Sequence, residues 1–487
     1  MSILRRALGN TAIMLVAQLI TWTATLITTA ALGAWLGVAD FGVLYLAMSI
    51  SLLFAVLVEF GLNQQLVRAI ARDPGVAGPY LVNALAIKLT LALVAYLIIL
   101  GLNYWLGYDP KSGLVIAVYS LILAFNGIAT TFTAVYQGMQ RVAFAAIGTI
   151  VEKVLVSVLA ILLLWLGFGV VTMAAVFVVG AAAGALWQGL WLRRVAHFEF
   201  RLDRAVIGTL VRNAIPFFAY WVLGSLYYRL DTILLSKMTG DEVLGWYGAA
   251  YRLFDTLVFL PSIISSAILF PILSQLSTQS RPALQRAMSK GLDTMLIVGV
   301  PICVGLFTLA GPIIGLIYRR AEFVEAVPAL QWLAVGLLLL YVNSILAVTI
   351  ISLNQEKKMT LVAGLALVLN LGLNLALIPR FQHVGAASTT AATEAFILVY
   401  LLVVMPRDLL SRSTLGVFAK AGVASAAMAL VLTALQGQSL LLLIPLGAAV
   451  YAIVGIALRL VPVEDFRMIG AALGRRGRVA EAEETKA

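Results

Sequence analysis

The sequence is poor in charge. Asp, Glu, Lys and Arg make up 11% of its 487 residues, where a soluble domain carries about 25%. The chain therefore lacks the polar surface needed to cover itself against water. Cysteine occurs once, as Cys303, which excludes an intramolecular disulfide and a cysteine-built metal site. Histidine occurs twice, as His197 and His383, and the topology below puts the two on opposite sides of a membrane, where they cannot share a metal. No Walker A loop, D-x-D, H-E-x-x-H or C-x-x-C motif is present. These absences argue against ATP hydrolysis, glycosyl transfer and metal-assisted chemistry. The expectation is no enzyme, no catalytic residues, no metal and no cofactor.

What the chain has instead is apolar length. Hydrophobic residues make up 62%, in runs of roughly 20, each able to cross a bilayer at about 1.5 Å per residue. Hydropathy and breakers place spans near 11–36, 41–67, 80–106, 113–137, 143–166, 170–192, 213–237, 244–274, 291–317, 327–352, 359–379, 384–405, 415–435 and 440–460. The first follows Arg5 and Arg6. It is too long for a signal-peptide core and no A-x-A-like cleavage site follows it, so it reads as a retained helix. Pro261 and Pro271 interrupt span 8, where bending is expected. Pro301, Gly311 and Pro312 mark span 9.

Basic residues flank the spans, so a pI near 9.8 reflects topology and not nucleic-acid binding. With the N-terminus inside, 24 of the 33 Lys and Arg fall on the inner side. Five (Lys111, Lys237, Arg319, Arg320, Arg380) fall outside, and four lie within spans. That is a strong positive-inside bias with both termini cytoplasmic.

The chain also restarts. Gly37, Gly42 and Ala47 are spaced five and five, and Gly240, Gly245 and Ala250 repeat the spacing 203 residues later, at the outer turn of each first hairpin. An even number of spans per half makes this a parallel repeat. The expected fold is an all-α polytopic membrane protein of about 14 transmembrane helices. Residues 1–192 form an N-terminal six-helix lobe, 193–212 a cytoplasmic linker and 213–405 a C-terminal six-helix lobe. Residues 406–463 add helices 13 and 14 as an appended hairpin, and 464–487 form a cytoplasmic tail.

Ionisable groups at membrane depth are costly and need partners. Glu59 and Lys88 are equidistant from the centre of the loop joining their spans, so an antiparallel hairpin puts them at one depth and within pairing reach. Glu152 and Lys153 lie at comparable inner depth in span 5. Arg229 and Asp231 in span 7 mirror Arg252 and Asp255 in span 8 about the outer turn, and Asp231 or Asp255 is expected to engage Arg252. Glu394 is near mid-span with no partner evident in sequence, a candidate proton or cation site. The plain reading of Glu59, Glu152, Asp231, Asp255 and Glu394 is ion pairing between helices, with ion coupling as the alternative. Lys88, Lys153, Arg229 and Arg252 are the only cations available to an anionic substrate crossing the membrane, and Arg is the better fork for phosphate. Trp35, Tyr104, Trp105, Tyr108, Trp246 and Tyr247 fall at outer span ends, as an interfacial belt does. Thr21, Trp22, Thr23 and Thr25 form a polar patch in span 1 suited to a hydrated cavity.

Several motifs resemble the polysaccharide-synthesis family of oligosaccharide flippases, the Wzx type, in the superfamily of multidrug and toxin extrusion transporters and lipid II flippases. They are Leu36-Gly37 through Phe41-Gly42-Val43-Leu44, Glu59-Phe60-Gly61-Leu62 before Arg68, and Gln137-Gly138-Met139-Gln140-Arg141. Arg229 to Leu235, Leu244 to Leu253 and Val384 to Ala387 complete the set. The resemblance implies two six-helix bundles working by alternating access. It implies a polyprenyl-pyrophosphate-linked oligosaccharide moved from the inner to the outer face of the bacterial plasma membrane for cell-surface polysaccharide synthesis. The implied partners are that substrate, membrane lipids, and polysaccharide polymerase and chain-length proteins. A cation-coupled multidrug exporter is the first alternative, but residues 11–36 lack the acidic residue such transporters often carry. Lipid II flippases typically place arginine there, also absent. A glycan polymerase or ligase is the second alternative, but the longest internal loop here is cytoplasmic.

The topology predicts that a cysteine replacing Lys111 or Arg380 reacts with an impermeant reagent outside intact cells, and that one replacing Arg201 does not. Outside labelling at 201 overturns the orientation.

Overall fold

The computed structural model describes residues 3–192, 194 and 202–460. His197, Arg201 and the other residues of 193 and 195–201 in the expected 193–212 connection, with the tail from 464, lie outside the described residues. Among those described, the chain is helical from end to end. The first half holds α1 (Ile3–Leu36), α2 (Val38–Glu59), α3 (Leu62–Arg72), α4 (Ala77–Leu106), α5 (Pro110–Ser120), α6 (Ile122–Gly138), α7 (Val142–Trp165) and α8 (Val170–Leu192). There follow α9 (Arg204–Met238), α10 (Asp241–Ser262), α11 (Phe270–Gln279), α12 (Arg281–Thr308), α13 (Ala310–Tyr318) and α14 (Ala326–Ser352). Last come α15 (Glu356–Val404), α16 (Ser413–Ala434) and α17 (Leu440–Ala457).

Twelve helical stretches are long and apolar enough to cross a membrane. Helix α15 holds 49 residues, roughly 70 Å of helix and twice a bilayer core. It breaks at Gln382 (φ 51°, ψ −128°), between the spans expected at 359–379 and 384–405. Helix α9 starts at Arg204, well before 213, because the Asp203 carboxylate accepts from Ala205 N at 2.8 Å and caps it. Span 2 is shorter than hydropathy implies. Phe60 (φ 45°) and Gly61 (φ 73°) both turn left-handed and end α2 at Glu59. The chain then continues as the amphipathic α3, which buries Leu62, Leu66 and Ile70 and exposes Gln64 and Arg68. The bend expected in span 8 is a π-helical stretch, Ile263–Leu269, between Pro261 and Pro271. Proline removes amide donors, and the backbone widens its register there.

The chain divides into two compact units. One comprises Met1–Ala250, Ile314–Ala329 and Thr360–Thr389, and the other Tyr251–Ile313, Leu330–Met359 and the chain from Thr390. In the second, α16 and α17 pack on α12. Leu296 and Val300 meet Ala421, while Leu309 packs with Met428, Leu432 and Leu443. The Tyr451 hydroxyl donates to Ile297 O at 2.7 Å. Arg281 forks onto Asp408 (Nε to Oδ2 2.7 Å, Nη2 to Oδ1 3.3 Å), and that hydrogen bond holds the Asp408 carboxyl below its ordinary range. The appended hairpin is thus packed against the bundle.

In the first unit the two glycine triplets meet. Gly37 and Gly240 occupy matching places, each carbonyl accepting the first helical bond of its helix, from Phe41 N and Leu244 N, both at 3.1 Å. A Cβ on Gly42 would run into Asp241 O and Gly245 N, and one on Gly245 into Val38 O. The starts of α2 and α10 therefore cross backbone to backbone. Around this crossing Phe41 packs edge-on against Tyr318 and Phe323 at 5.4 and 5.6 Å. Arg320 Nε donates to Ala34 O at the end of α1 at 3.0 Å. Asp40 pairs with Lys111, and Lys237 lies over the Tyr108 ring and donates to Leu106 O at 2.8 Å. This end of the unit is the cation-poor face of the sequence analysis.

A methyl group at the crossing has no room, so Gly42→Ala is expected to cost about 1–3 kcal/mol through overpacking. A Cβ on Gly101 meets nothing within 4 Å, and Gly101→Ala is the control expected to leave stability unchanged or slightly raised. Thermal unfolding in detergent measures both.

Candidate functional site

The break at Phe60–Gly61 places Glu59 at the last turn of α2 and Asn63 at the first of α3. Opposite them stand Lys88 on α4 and Thr130 on α6. Lys88 Nζ donates to Glu59 Oε2 at 3.0 Å, to Asn63 Oδ1 at 2.7 Å and to Thr130 Oγ1 at 2.9 Å. Thr130 in turn donates to Glu59 Oε1 at 2.6 Å, and Asn63 Nδ2 donates to Glu59 Oε2. The pair expected from hairpin symmetry is present, and all three ammonium protons are used. The Lys88 side chain is 0% exposed and that of Glu59 36%, so the lysine is the sealed member of the pair. A Cβ on Gly127 would press on Val58 Cγ1 at 3.0 Å and stand in ordinary contact with Lys88 Cβ at 3.7 Å, so the glycine serves the approach of α6 to α2.

On α7, Lys153 Nζ donates to its neighbour Glu152 at 2.7 Å, with 36% of the lysine side chain exposed. Gly180 and Gly184 on α8 make room for this stretch, their Cβ positions falling against Val156 and Glu152. Towards the cation-poor end, Arg229 is buried on α9 and its Nη1 reaches the Tyr45 hydroxyl of α2 at 3.4 Å. Asp231 is also buried. Its Oδ1 accepts from Thr232 N at 2.6 Å and its Oδ2 from the Tyr247 hydroxyl. Two residues apart, the two charges point to different partners.

In the second unit, Arg252 is half-buried and Asp255 exposed on α10. Glu394 is buried on α15 and has a partner on α14 that spacing did not reveal. Asn343 Nδ2 donates to Glu394 Oε2 at 2.8 Å and to its carbonyl at 2.9 Å. Among the described residues no group of three or more His, Cys, Asp and Glu side chains could hold a metal ion.

Charge alone missed the neutral members of these networks. Asn63, Thr130, Tyr45 and Asn343 complete the shells of charged residues. Only Asn63, four residues after Glu59 across a helix break, offered a spacing signal. Tyr247 departs from the interfacial belt assigned to it. It is fully buried and serves as donor to Asp231. Trp246 remains at the rim, donating to Glu322 O at 2.8 Å with its ring 5.2 Å from that of His383. It borders a cleft of ≈ 540 Å³ that also touches Asp40, Glu242, Glu322 and Glu325.

Comparison with known proteins places this geometry. The family described as polysaccharide biosynthesis protein matches residues 7–277, and the family described as MatE matches 216–376. The chain is 26% identical over 379 residues to a probable low-salt glycan biosynthesis flippase of Haloferax volcanii, covering 74% of this chain and 75% of that one. It is 25% identical over 359 residues to a putative O-antigen transporter of Shigella dysenteriae, covering 72% and 88%. Its fold is similar to that of the lipid II flippase MurJ in an inward closed conformation. The TM-score is 0.76 at 15% identity, over 92% of this chain and 98% of that one.

The knot predicts a definite pattern of mutant stabilities. Lys88→Met leaves the Glu59 carboxylate without its cation, and breaking a buried pair costs about 3–5 kcal/mol. Because Glu59 stays partly open, the loss belongs at the lower end, about 3 kcal/mol. Lys88→Met combined with Glu59→Gln is expected to recover most of it. Thermal unfolding of the two single variants and the double variant measures the coupling, and additive losses would rule the pair out as a unit.

Proposed function

Because the chain belongs to the polysaccharide biosynthesis protein family, we propose that it is a flippase. It carries a polyprenyl-pyrophosphate-linked oligosaccharide from the inner to the outer face of the plasma membrane by alternating access. The observation that carries this reading is the glycine crossing between the starts of α2 and α10. Corresponding glycines of the two triplets let two helices meet backbone to backbone, with the Phe41, Tyr318 and Phe323 rings beside them, and in this reading that seam opens and closes during alternating access. The relatives named as a flippase and an O-antigen transporter support a lipid-linked glycan as cargo. They also support transport in place of catalysis.

In this reading the chain crosses the membrane fourteen times. The twelve apolar stretches, the second arm of α15 beyond Gln382, and α9 with its 35 residues make up the number. Both termini are cytoplasmic, the cation-poor face is outside, and residues 1–192 and 213–405 act as the two moving lobes. The pyrophosphate meets cations along its path. Arg229 and Arg252 receive it in the outer half. In the inner half Lys153, with part of its side chain exposed, takes the contact role, while Lys88 acts through the Glu59 knot it neutralises. The near-neutral pairing of these groups keeps the anion from being held too tightly, since transport needs release as well as capture. Glu394, held by Asn343, remains the proposed ion-coupling carboxylate. Polymerase and chain-length proteins are the proposed partners at the outer face.

The test compares Arg229→Lys with Arg229→Gln at matched membrane abundance. Lysine keeps the charge but loses the planar fork. Gln is expected to reduce surface glycan roughly tenfold or more, as loss of a charge-assisted contact would, and Lys is expected to retain part of the export. Normal export by Arg229→Gln removes the arginine from the substrate path.

A further inference from the structure

Between α1, α6 and α7 lies an open cavity of ≈ 140 Å³, close to the roughly 150 Å³ that admits a single six-membered ring. Its polar lining consists of Gln18 and Thr21 from α1, Thr133 and Gln137 from α6, and Thr149 from α7. Five such side chains gather in one cleft of so apolar a chain. Thr133 and Gln137 also extend the face of α6 that bears Thr130. The spacings of three and four residues put all three on one side of the helix, in line with the Glu59–Lys88 knot.

The hydrogen bonds define what the cavity would accept. Thr21 Oγ1 donates to Gln18 O at 3.0 Å, Thr149 Oγ1 to Ala145 O at 3.2 Å, and Thr133 Oγ1 to Gln188 Oε1 at 3.0 Å. Each hydroxyl has placed its one proton inside the protein and is left with lone pairs to offer. The carboxamides of Gln18 and Gln137 add acceptors as well as donors. No lining residue carries a formal charge. A pyrophosphate would find no cation here, and an organic or metal cation no carboxylate. The rest of the wall is small and apolar, with Ala146 and the flexible Met14 among it. An uncharged cavity, mostly apolar and dotted with hydroxyl and amide acceptors, matches a ring that presents hydroxyl donors at its edge and C–H groups on its face.

We infer that this cavity is a saccharide subsite for an uncharged, hydroxyl-rich sugar of the transported glycan, set apart from the cations that serve the pyrophosphate. The inference rests on the flippase reading and names the sugar class that reading leaves open.

The test uses the purified full chain in lipid nanodiscs and three probes built on one short polyprenyl pyrophosphate. One is bare, one carries a neutral hexose disaccharide, and one a disaccharide containing a hexuronic acid. The neutral cap is expected to tighten binding roughly tenfold over the bare lipid, as a few net hydrogen bonds would, and the uronic cap to give less. The double variant Gln18→Met and Gln137→Met is near-isosteric. It is expected to reduce the neutral-cap gain to below about twofold while bare-lipid binding holds, and Thr133→Val to reduce it in part. A neutral-cap gain that survives the double variant, no gain in the parent, or an equal gain from the uronic cap overturns the subsite. Failure of all three lipids to bind the parent overturns the flippase reading, and the subsite falls with it. A double variant that loses bare-lipid binding has lost more than the cavity. Thr133→Val then decides, a full gain overturning the subsite and a reduced one supporting it.

Discussion

A lysine ammonium in the interior of a membrane protein has three protons to place and no water to take them. Lys88 places them on a carboxylate, an amide oxygen and a hydroxyl that come from three different helices. The neighbourhood is arranged to make that possible. Helix α2 must end at Glu59, and the chain must turn left-handed twice so that Asn63 comes back beside it. With Glu59 partly open and Lys88 sealed, the cluster hides its positive charge.

At the other end of the same unit the constraint is distance. Two helices approach until only glycine fits, at Gly42 and Gly245, which hold corresponding places in the two glycine triplets. Around it sit contacts of a weaker kind: aromatic edges, an arginine on a carbonyl, and exposed ion pairs of the sort typically worth 0–1 kcal/mol. The knot is satisfied by hydrogen bonds among its own members, whereas the crossing depends on close approach and on the aromatic packing beside it. This difference fits a proposed assignment in which the first stays intact through a transport cycle and the second opens.

Much of this was legible before the structure. The apolar runs carried the helical fold, the hairpin arithmetic carried Glu59 and Lys88, and the glycine triplets marked two positions that prove to touch. What stayed hidden has physical reasons. Hydropathy averages over a window, so it could not see α2 stop at Glu59 when Gly61 and Leu62 continue the apolar run, nor place the start of α9 at Arg204 when a single aspartate decides it. Attention to charge overlooked Thr130, Tyr45 and Asn343, because a neutral donor leaves no trace in a charge pattern and its partner lies far away in sequence. Tyr247 was misplaced for a related reason. An aromatic near a span end suits an interface equally well whether its hydroxyl meets water or a buried carboxylate. Glu394 looked solitary because Asn343 lies 51 residues away, on another helix.

The π-helical stretch between Pro261 and Pro271 has a meaning beyond the bend it makes. A helix that carries a surplus residue in a wide turn resembles a crystal row that carries a dislocation. The defect moves one step by exchanging one hydrogen-bond register for the next, so it travels without the row ever coming apart. Along Ile263–Leu269 each such step would rotate the side chains beyond it relative to those before it, at the cost of only a few bonds broken and remade. A helix so equipped can turn one end against the other while both ends remain helical.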